Sequence, residues 1–334
     1  MKRILYIIGT AVIFIMVGCG KPLSKGADDE LIVLVAKEDR VAARKILTKI
    51  FSDTLYTPAP EPYYKAKFVK PSDLQIVRHH PNLIALSIND DLTNPGTRLV
   101  KSILPEESYL RSKKNNPFIQ THEPYAKLQT MLLINGNSME SIVSAVEIQG
   151  LEIYENFENQ FIERQSRFLF KRARKEELEQ KVLKKHGFSL LIPWGFTVVQ
   201  DSVETSILWI GKEEPFRWLV FHWEEGMVIQ NISDAEQFSL EIPQRIFGHI
   251  QYSDYKFNIS PTMFNDWSGW RITGLWESLE ESQGGPFIAY TFYDGITNRT
   301  YYIHALIFNP GDDKYLLLRQ LDIIAHTFFV DETS

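Results

Sequence analysis

"EIYENFENQFIERQSRFLFKRARKEELEQKVLKKHG", residues 152 to 187, decides how the chain is built. It holds no proline, and no glycine before Gly187. Phe157, Phe161, Phe168 and Leu169 recur at near-helical steps. That pattern predicts one long helix, or two abutting ones, over 151–186, with Gly187 as the C-terminal cap. The charges from Glu163 to Lys185 are mostly positive and read as a solvated helix face with pairs of alternating sign. The helix stands between two regions of different texture, so it is the expected bridge.

On its N-terminal side, residues 30–150 read as an α+β region. "ELIVLVA" (30–36), "NLIALSI" (82–88) and "AKLQTMLLING" (126–136) are short apolar runs of the kind that form buried strands. Ala42, Ile46, Leu47, Ile50 and Phe51 follow helical spacing after Asp39. Asn137 and Glu140 are spaced like a capping box, which predicts a helix to about Ile148. "TPAPEPYY" (57–64) carries three prolines and reads as irregular.

On the C-terminal side, residues 187–330 alternate apolar and polar. "FSLLIPWGFTVV", "TSILWIG", "RWLVFHW", "GMVIQNI", "WRITGLWES", "GPFIAYTFYD" and "RTYYIHALIFN" read as strands. "NPGDDK" is a turn into a closing helix that contains Tyr315, Leu318, Leu321 and Ala325. The expected fold class is α+β: two sheet-plus-helix regions, the second an antiparallel sheet with one closing helix.

The first thirty residues carry an address. Lys2 and Arg3 precede an apolar stretch from Ile4 to Val17, which is too short for a spanning helix of about 20 residues and fits a signal-peptide core. "MVGC" (16–19) resembles a bacterial lipobox, with cleavage after Gly18 and acylation, palmitate included, of Cys19, the sole cysteine among 334 residues. Residues 1–18 are the expected signal peptide and 19–29 a lipidated flexible tether. Acyl chains hold a protein on a membrane without a spanning helix, at about 0.8 kcal/mol per buried methylene. The formal net charge is −6, and loss of Lys2 and Arg3 makes it more negative by two. Bulk charge of that sign disfavours nucleic acid as a partner.

No motif for catalysis, phosphate binding or a cofactor stands out. "GNSME" (136–140) lacks the second glycine of a nucleophile elbow, and "GGP" (284–286) is not followed by a helix. The eight histidines have no metal-ligand spacing, so no metal site is expected; His304 and His326 read as satisfied by core or sheet-edge hydrogen bonds. Acid-rich stretches at Glu224–Glu225, Glu277–Ser282 and Asp312–Asp313 read as exposed turns. The candidate binding face is Trp267, Trp270, Arg271 and Trp276, an aromatic row with a cation able to stack a sugar, peptide or protein. Arg319, inside an apolar helix, calls for a carboxylate, with Asp322 or Glu277 as candidates.

"EPYYKAKFV", "RHHPNLIALSI", "HGFSLLIPWGF", "GLWES" with "GGPFIAY", and "NPGDDKYLLLRQLDIIAHT" occur in that order between residues 61 and 327. In this the chain resembles a family of Bacteroidetes lipoproteins catalogued as domain of unknown function 4837. The resemblance implies an envelope lipoprotein, with outer-membrane anchoring and a soluble part in the periplasm or at the surface, and it brings no activity. Residues 187–330 are also similar in outline to the PsbP-like arrangement, whose members are mainly assembly or binding proteins. The expectation is a non-catalytic binding or scaffolding lipoprotein with a protein or glycan partner. The alternatives are an envelope hydrolase acting on glycan or peptide, or a small-ligand binder.

Overall fold

The computed structural model describes residues 20–331, apart from 58 and 172. Gly18 and Cys19 lie outside the described residues. Along the N-terminal region run β1 (Glu30–Leu34), α1 (Arg40–Ile50), β2 (Thr54–Tyr56), β3 (Pro60–Pro62), β4 (Lys65–Val69), α2 (Leu74–Val77), β5 (Asn82–Ser87), α3 (Pro95–Ile103), α4 (Glu106–Lys114), β6 (Phe118–His122) and β7 (Thr130–Asn135). The sheet order is β4-β1-β5-β7-β6, parallel except at β6. Every residue of β5 and β7 is buried, because helices cover both faces of the sheet; continuous apolar runs suit that position better than alternation.

The next helix, α5 (Met139–Phe170), is 32 residues long, about 48 Å at 1.5 Å per residue. It absorbs both the helix expected to stop at Ile148 and the first part of the bridge. The cap is Ser138, whose hydroxyl accepts from Ser141 N at 3.2 Å. Gly150 does not break it: a side chain there would crowd Val146, where α1 packs close. The bridge is therefore two helices, α5 and α6 (Glu176–His186), and Gly187 ends α6 at φ +76° as the spacing predicts.

The C-terminal region continues with β8 (Phe188–Ser189), β9 (Thr197–Ser202), β10 (Ile207–Lys212), β11 (Phe216–Glu225), α7 (Ile232–Phe247), β12 (Ile250–Phe264), β13 (Trp267–Ser278), β14 (Gly284–Asp294), β15 (Arg299–Phe308), α8 (Tyr315–Ala325) and β16 (Phe329–Val330). Seven strands form one antiparallel sheet in the order β12-β13-β14-β15-β11-β10-β9. The chain is α+β, as expected, but its second sheet has helices on both faces. α8 and the ends of α5 and α6 cover one; α7 covers the other. "GMVIQNI" is not a strand. Asn231 caps α7 by accepting from Ser233 N (2.9 Å) and Asp234 N (3.1 Å), so the run leads into a helix.

Two more expectations change. The proline-rich run is not wholly irregular: Pro60–Pro62 pairs as β3 with β2, Thr54 opposing Pro62 and Tyr56 opposing Pro60. Residues 21–28, expected as a free tether, are held on the N-terminal region. Ser24 N donates to Lys127 O (3.0 Å), Lys25 N to His79 O (2.8 Å), and Asp28 pairs with buried Arg164 of α5 at 2.7 Å.

The two regions meet along α5 and α8. Ile142, Val146, Ile153 and Phe157 of α5 belong to the core under the first sheet, while Phe161 and Leu169 belong to the core under the second. Glu61 of β3 accepts from Lys314 N (2.6 Å) and Tyr315 N (2.9 Å), so the N-terminus of α8 is capped by a residue of the other region. Arg319 of α8 finds neither Asp322 nor Glu277. Its partner is Glu158 of α5 at 2.6 Å, with the guanidinium 3.4 Å from the centre of the Phe161 ring. Glu158→Ala strands that buried cation and is expected to cost about 3–5 kcal/mol in urea unfolding, whereas Glu158→Leu combined with Arg319→Met costs much less. A loss below about 1 kcal/mol for the single change would show that the pair braces nothing.

Candidate functional site

β13 carries the four residues singled out from sequence, and strand alternation divides them. Trp270 and Trp276 point to the α7 side; Trp267 and Arg271 point to the α8 side. Trp276 is core: it is 3% exposed and donates to Ile307 O at 3.1 Å. Trp267 stacks on Phe292 (4.9 Å between centres) and donates to Asp294 at 3.0 Å. The four therefore do not form one binding face. Trp270 lines an open groove of about 660 Å³ with Met227, Ile229, Pro261 and Met263.

Arg271 opens instead onto the seam between the regions. A pocket of about 370 Å³ lies there, lined by Asp53, Tyr56 and Tyr63 from around the β2–β3 ribbon and by Lys256, Arg271 and Thr273 from the second sheet. Arg271 and Thr273 share a strand face, which sets both toward the ribbon. Lys256 arrives through an irregularity in β12 between Ser253 and Asn258, where its φ is +59°. Its ammonium sits 4.1 Å from the centre of the Tyr56 ring. Gly274 lets the strand approach closely, since a side chain there would meet the Phe287 ring at 3.0 Å.

The electrostatics of this pocket are uneven. Among the described residues no carboxylate lies within 4.0 Å of the Arg271 guanidinium. Asp322 acts on it from farther off, but that carboxylate is taken by Tyr290 OH (2.7 Å) and His326 Nδ1 (3.2 Å). Burial works against the Arg271 charge; Tyr290, Asp322 and Tyr63 outweigh it and leave the guanidinium held above its ordinary value. Burial likewise raises the Tyr63 phenol, so Tyr63 stays a neutral hydrogen-bonding wall. Asp53, the one carboxylate lining the pocket, accepts from Tyr154 OH at 2.6 Å.

Residues 175–327 match the family described as Domain of unknown function (DUF4837). Over this stretch, somewhat under half of the chain, the sequence is similar to that family. The matched stretch opens one residue before α6 and closes just after α8, so it contains the whole second sheet and its share of the seam pocket, but not α5. No curated protein matches the chain. Among solved structures, the Saccharomyces cerevisiae Ran-binding protein Mog1p is 11% identical over 44% of this chain and 92% of its own, with a TM-score of 0.34. LpqN of Mycobacterium tuberculosis, "involved in cell envelope biogenesis", is 12% identical over 43% and 82%, at 0.29. A Bacteroides thetaiotaomicron protein is 8% identical over 43% and 45%, at 0.27. TM-scores of this size establish neither a shared fold nor a shared activity.

The other polar candidates are dispersed. Among the described residues no group of three or more His, Cys, Asp and Glu is placed to hold a metal ion. Glu224 pairs with Arg245 (2.8 Å) and Asp313 with Lys65 (2.5 Å), while Glu277 accepts from Gln251 at 2.7 Å. Ser138 of "GNSME" is a helix cap. His326, exposed at the end of α8, bonds Asp322 O of its own helix through Nδ1 at 2.9 Å rather than the expected core or sheet-edge group.

His304 corrects that expectation. It is 1% exposed, neither ring nitrogen has a hydrogen-bond partner, and it packs among Phe247, Tyr252, Phe287 and Tyr302. Burial pushes its pKa down to about 3. The unfolded chain takes that proton near pH 6.5 and the folded chain refuses it, so stability is lost as pH falls from about 6.5 toward 3. At pH 5 this amounts to roughly 2 kcal/mol. His304→Phe is expected to flatten the acid limb of a stability-versus-pH curve by about one proton; parallel curves for the two proteins would contradict this.

Proposed function

We propose that this chain is an envelope lipoprotein of the Bacteroidetes type that binds a ligand rather than catalyses a reaction. In this reading the signal peptide leaves after Gly18, acyl chains on Cys19 hold the protein on a membrane, and the folded part stands in water. No helix among the described residues is long and apolar enough to cross a membrane; the anchor in this reading is the acylated Cys19. The single observation that carries the binding reading is Arg271. It lines an open pocket without a carboxylate at ion-pair distance, whereas Arg164 and Arg319, the arginines buried along α5, each have one at 2.7 and 2.6 Å. A cation with no carboxylate at ion-pair distance, beside aromatic walls, suits a ligand that supplies a negative group. The hydrolase alternative gains nothing comparable: Glu224, Glu277 and Asp313 are each tied to a different partner.

Two readouts on the full-length protein test this. A fatty-acid probe fed to cells should label wild type and leave Cys19→Ser unlabelled and out of the membrane fraction; equal labelling of both contradicts the anchor. A low-molecular-weight envelope extract should raise the unfolding temperature of wild type but not of Lys256→Ala, since a ligand that binds only the folded state stabilises it. No rise, or a rise that Lys256→Ala retains, contradicts binding at the seam.

A further inference from the structure

We infer that the seam pocket is an oxyanion site, built to take a small carboxylate or phosphate group between Arg271 and Lys256 with the body of the ligand against Tyr56 and Tyr63. The inference deepens the binding reading and rests on it. Charge is the first ground. Two cations and one carboxylate line the pocket, and Asp53 already accepts from Tyr154. A bound anion would bring the lining to neutrality, and Asp53 would set the limit on how much negative charge it can carry.

Geometry is the second ground. The two cations reach the pocket from different strands and by different means. Arg271 is fixed in the middle of β13, between Ser260 on β12 and Tyr290 on β14. Its planar fork suits two oxygens of one oxyanion. Lys256 is placed by the left-handed backbone of the β12 irregularity, a conformation a non-glycine residue seldom adopts, and no carboxylate lies within 4.0 Å of its ammonium among the described residues. That irregularity turns the lysine away from the regular strand face and toward the ribbon.

Shape is the third ground. A space of about 370 Å³ holds a ligand of a dozen or so heavy atoms, at the small end of ordinary ligand sites. Two tyrosine rings from the N-terminal region supply stacking or CH contacts, so the ligand would touch both regions at once. Neither region alone has both the cations and the rings.

The test is calorimetric titration of the full-length protein in detergent with inorganic phosphate and, separately, with benzoate. The two arms separate a phosphate source from a carboxylate source. At least one probe is expected to bind saturably below about 10 mM, more weakly at high salt. Arg271→Gln is expected to weaken that binding about tenfold or more. Because Arg271→Gln removes a partly buried side chain, exposed Lys256→Ala is the second variant, also expected to weaken binding, while Met263→Ala in the opposite groove leaves it unchanged. Failure of both probes to saturate, or binding that Lys256→Ala leaves intact, overturns the inference. If the envelope extract still stabilises wild type but not Lys256→Ala in that case, the pocket binds something other than an anion, and the binding reading stands without this one.

Discussion

The structure depends on one helix belonging to two hydrophobic cores. The first half of α5 buries Ile142, Val146, Ile153 and Phe157 under the parallel sheet, and the second half buries Phe161 and Leu169 under the antiparallel one. Neither core can close without that helix. Its rigidity fixes how α8 lies against it, and the polar contacts along the line follow: Arg319 to Glu158, Gln320 to Gln165 at 2.8 Å, Glu61 to the start of α8. Buried pairs of this kind add little net stability, but they punish any misalignment, because each misplaced partner leaves a charge or amide unmet. The apolar rows of α5 drive the docking; the pairs set its register.

The seam pocket is a consequence of this docking. β13 carries Arg271 and Thr273 toward the β2–β3 ribbon, which is itself held in place by Glu61 at the start of α8. A cation on a sheet face would ordinarily be covered or paired. Here it is left open at one end, with its acidic neighbour committed to Tyr290 and His326.

Much of the fold was legible because it is written in period and caps. Apolar runs marked β1, β5 and β7, alternation marked most strands of the second sheet, and Gly187 marked the end of α6. The joining of two expected helices into α5 was hidden by Gly150, which reads as a break and acts as a contact. α7 was hidden because Met227–Ile232 is apolar enough to mimic a strand and Pro243 sits inside the helix; the signal available was Asn231 three residues before Asp234, a cap with its acidic first turn. The site was only partly legible. Arg271 was chosen, but it was grouped with three tryptophans whose positions on β13 send two of them to the opposite face. Tyr56, Tyr63 and Lys256 carried no local signal, since what makes them a site is a tertiary meeting of residues some 200 positions apart in the sequence. The partner of Arg319 was equally out of reach: Glu158 is one acid among many on α5 until α8 is laid beside it.

The central claim, that α5 makes one cooperative unit of both sheets, has a direct test in this chain because all seven tryptophans lie at or after Trp194. Tryptophan fluorescence therefore reports the second sheet, and amide hydrogen exchange at Leu31–Leu34 and Leu83–Leu86 reports the first. Unfolding the full-length protein in urea, the account predicts that both probes follow one transition with the same midpoint and slope. A first sheet that loses protection at a clearly different urea concentration from the fluorescence change would contradict it.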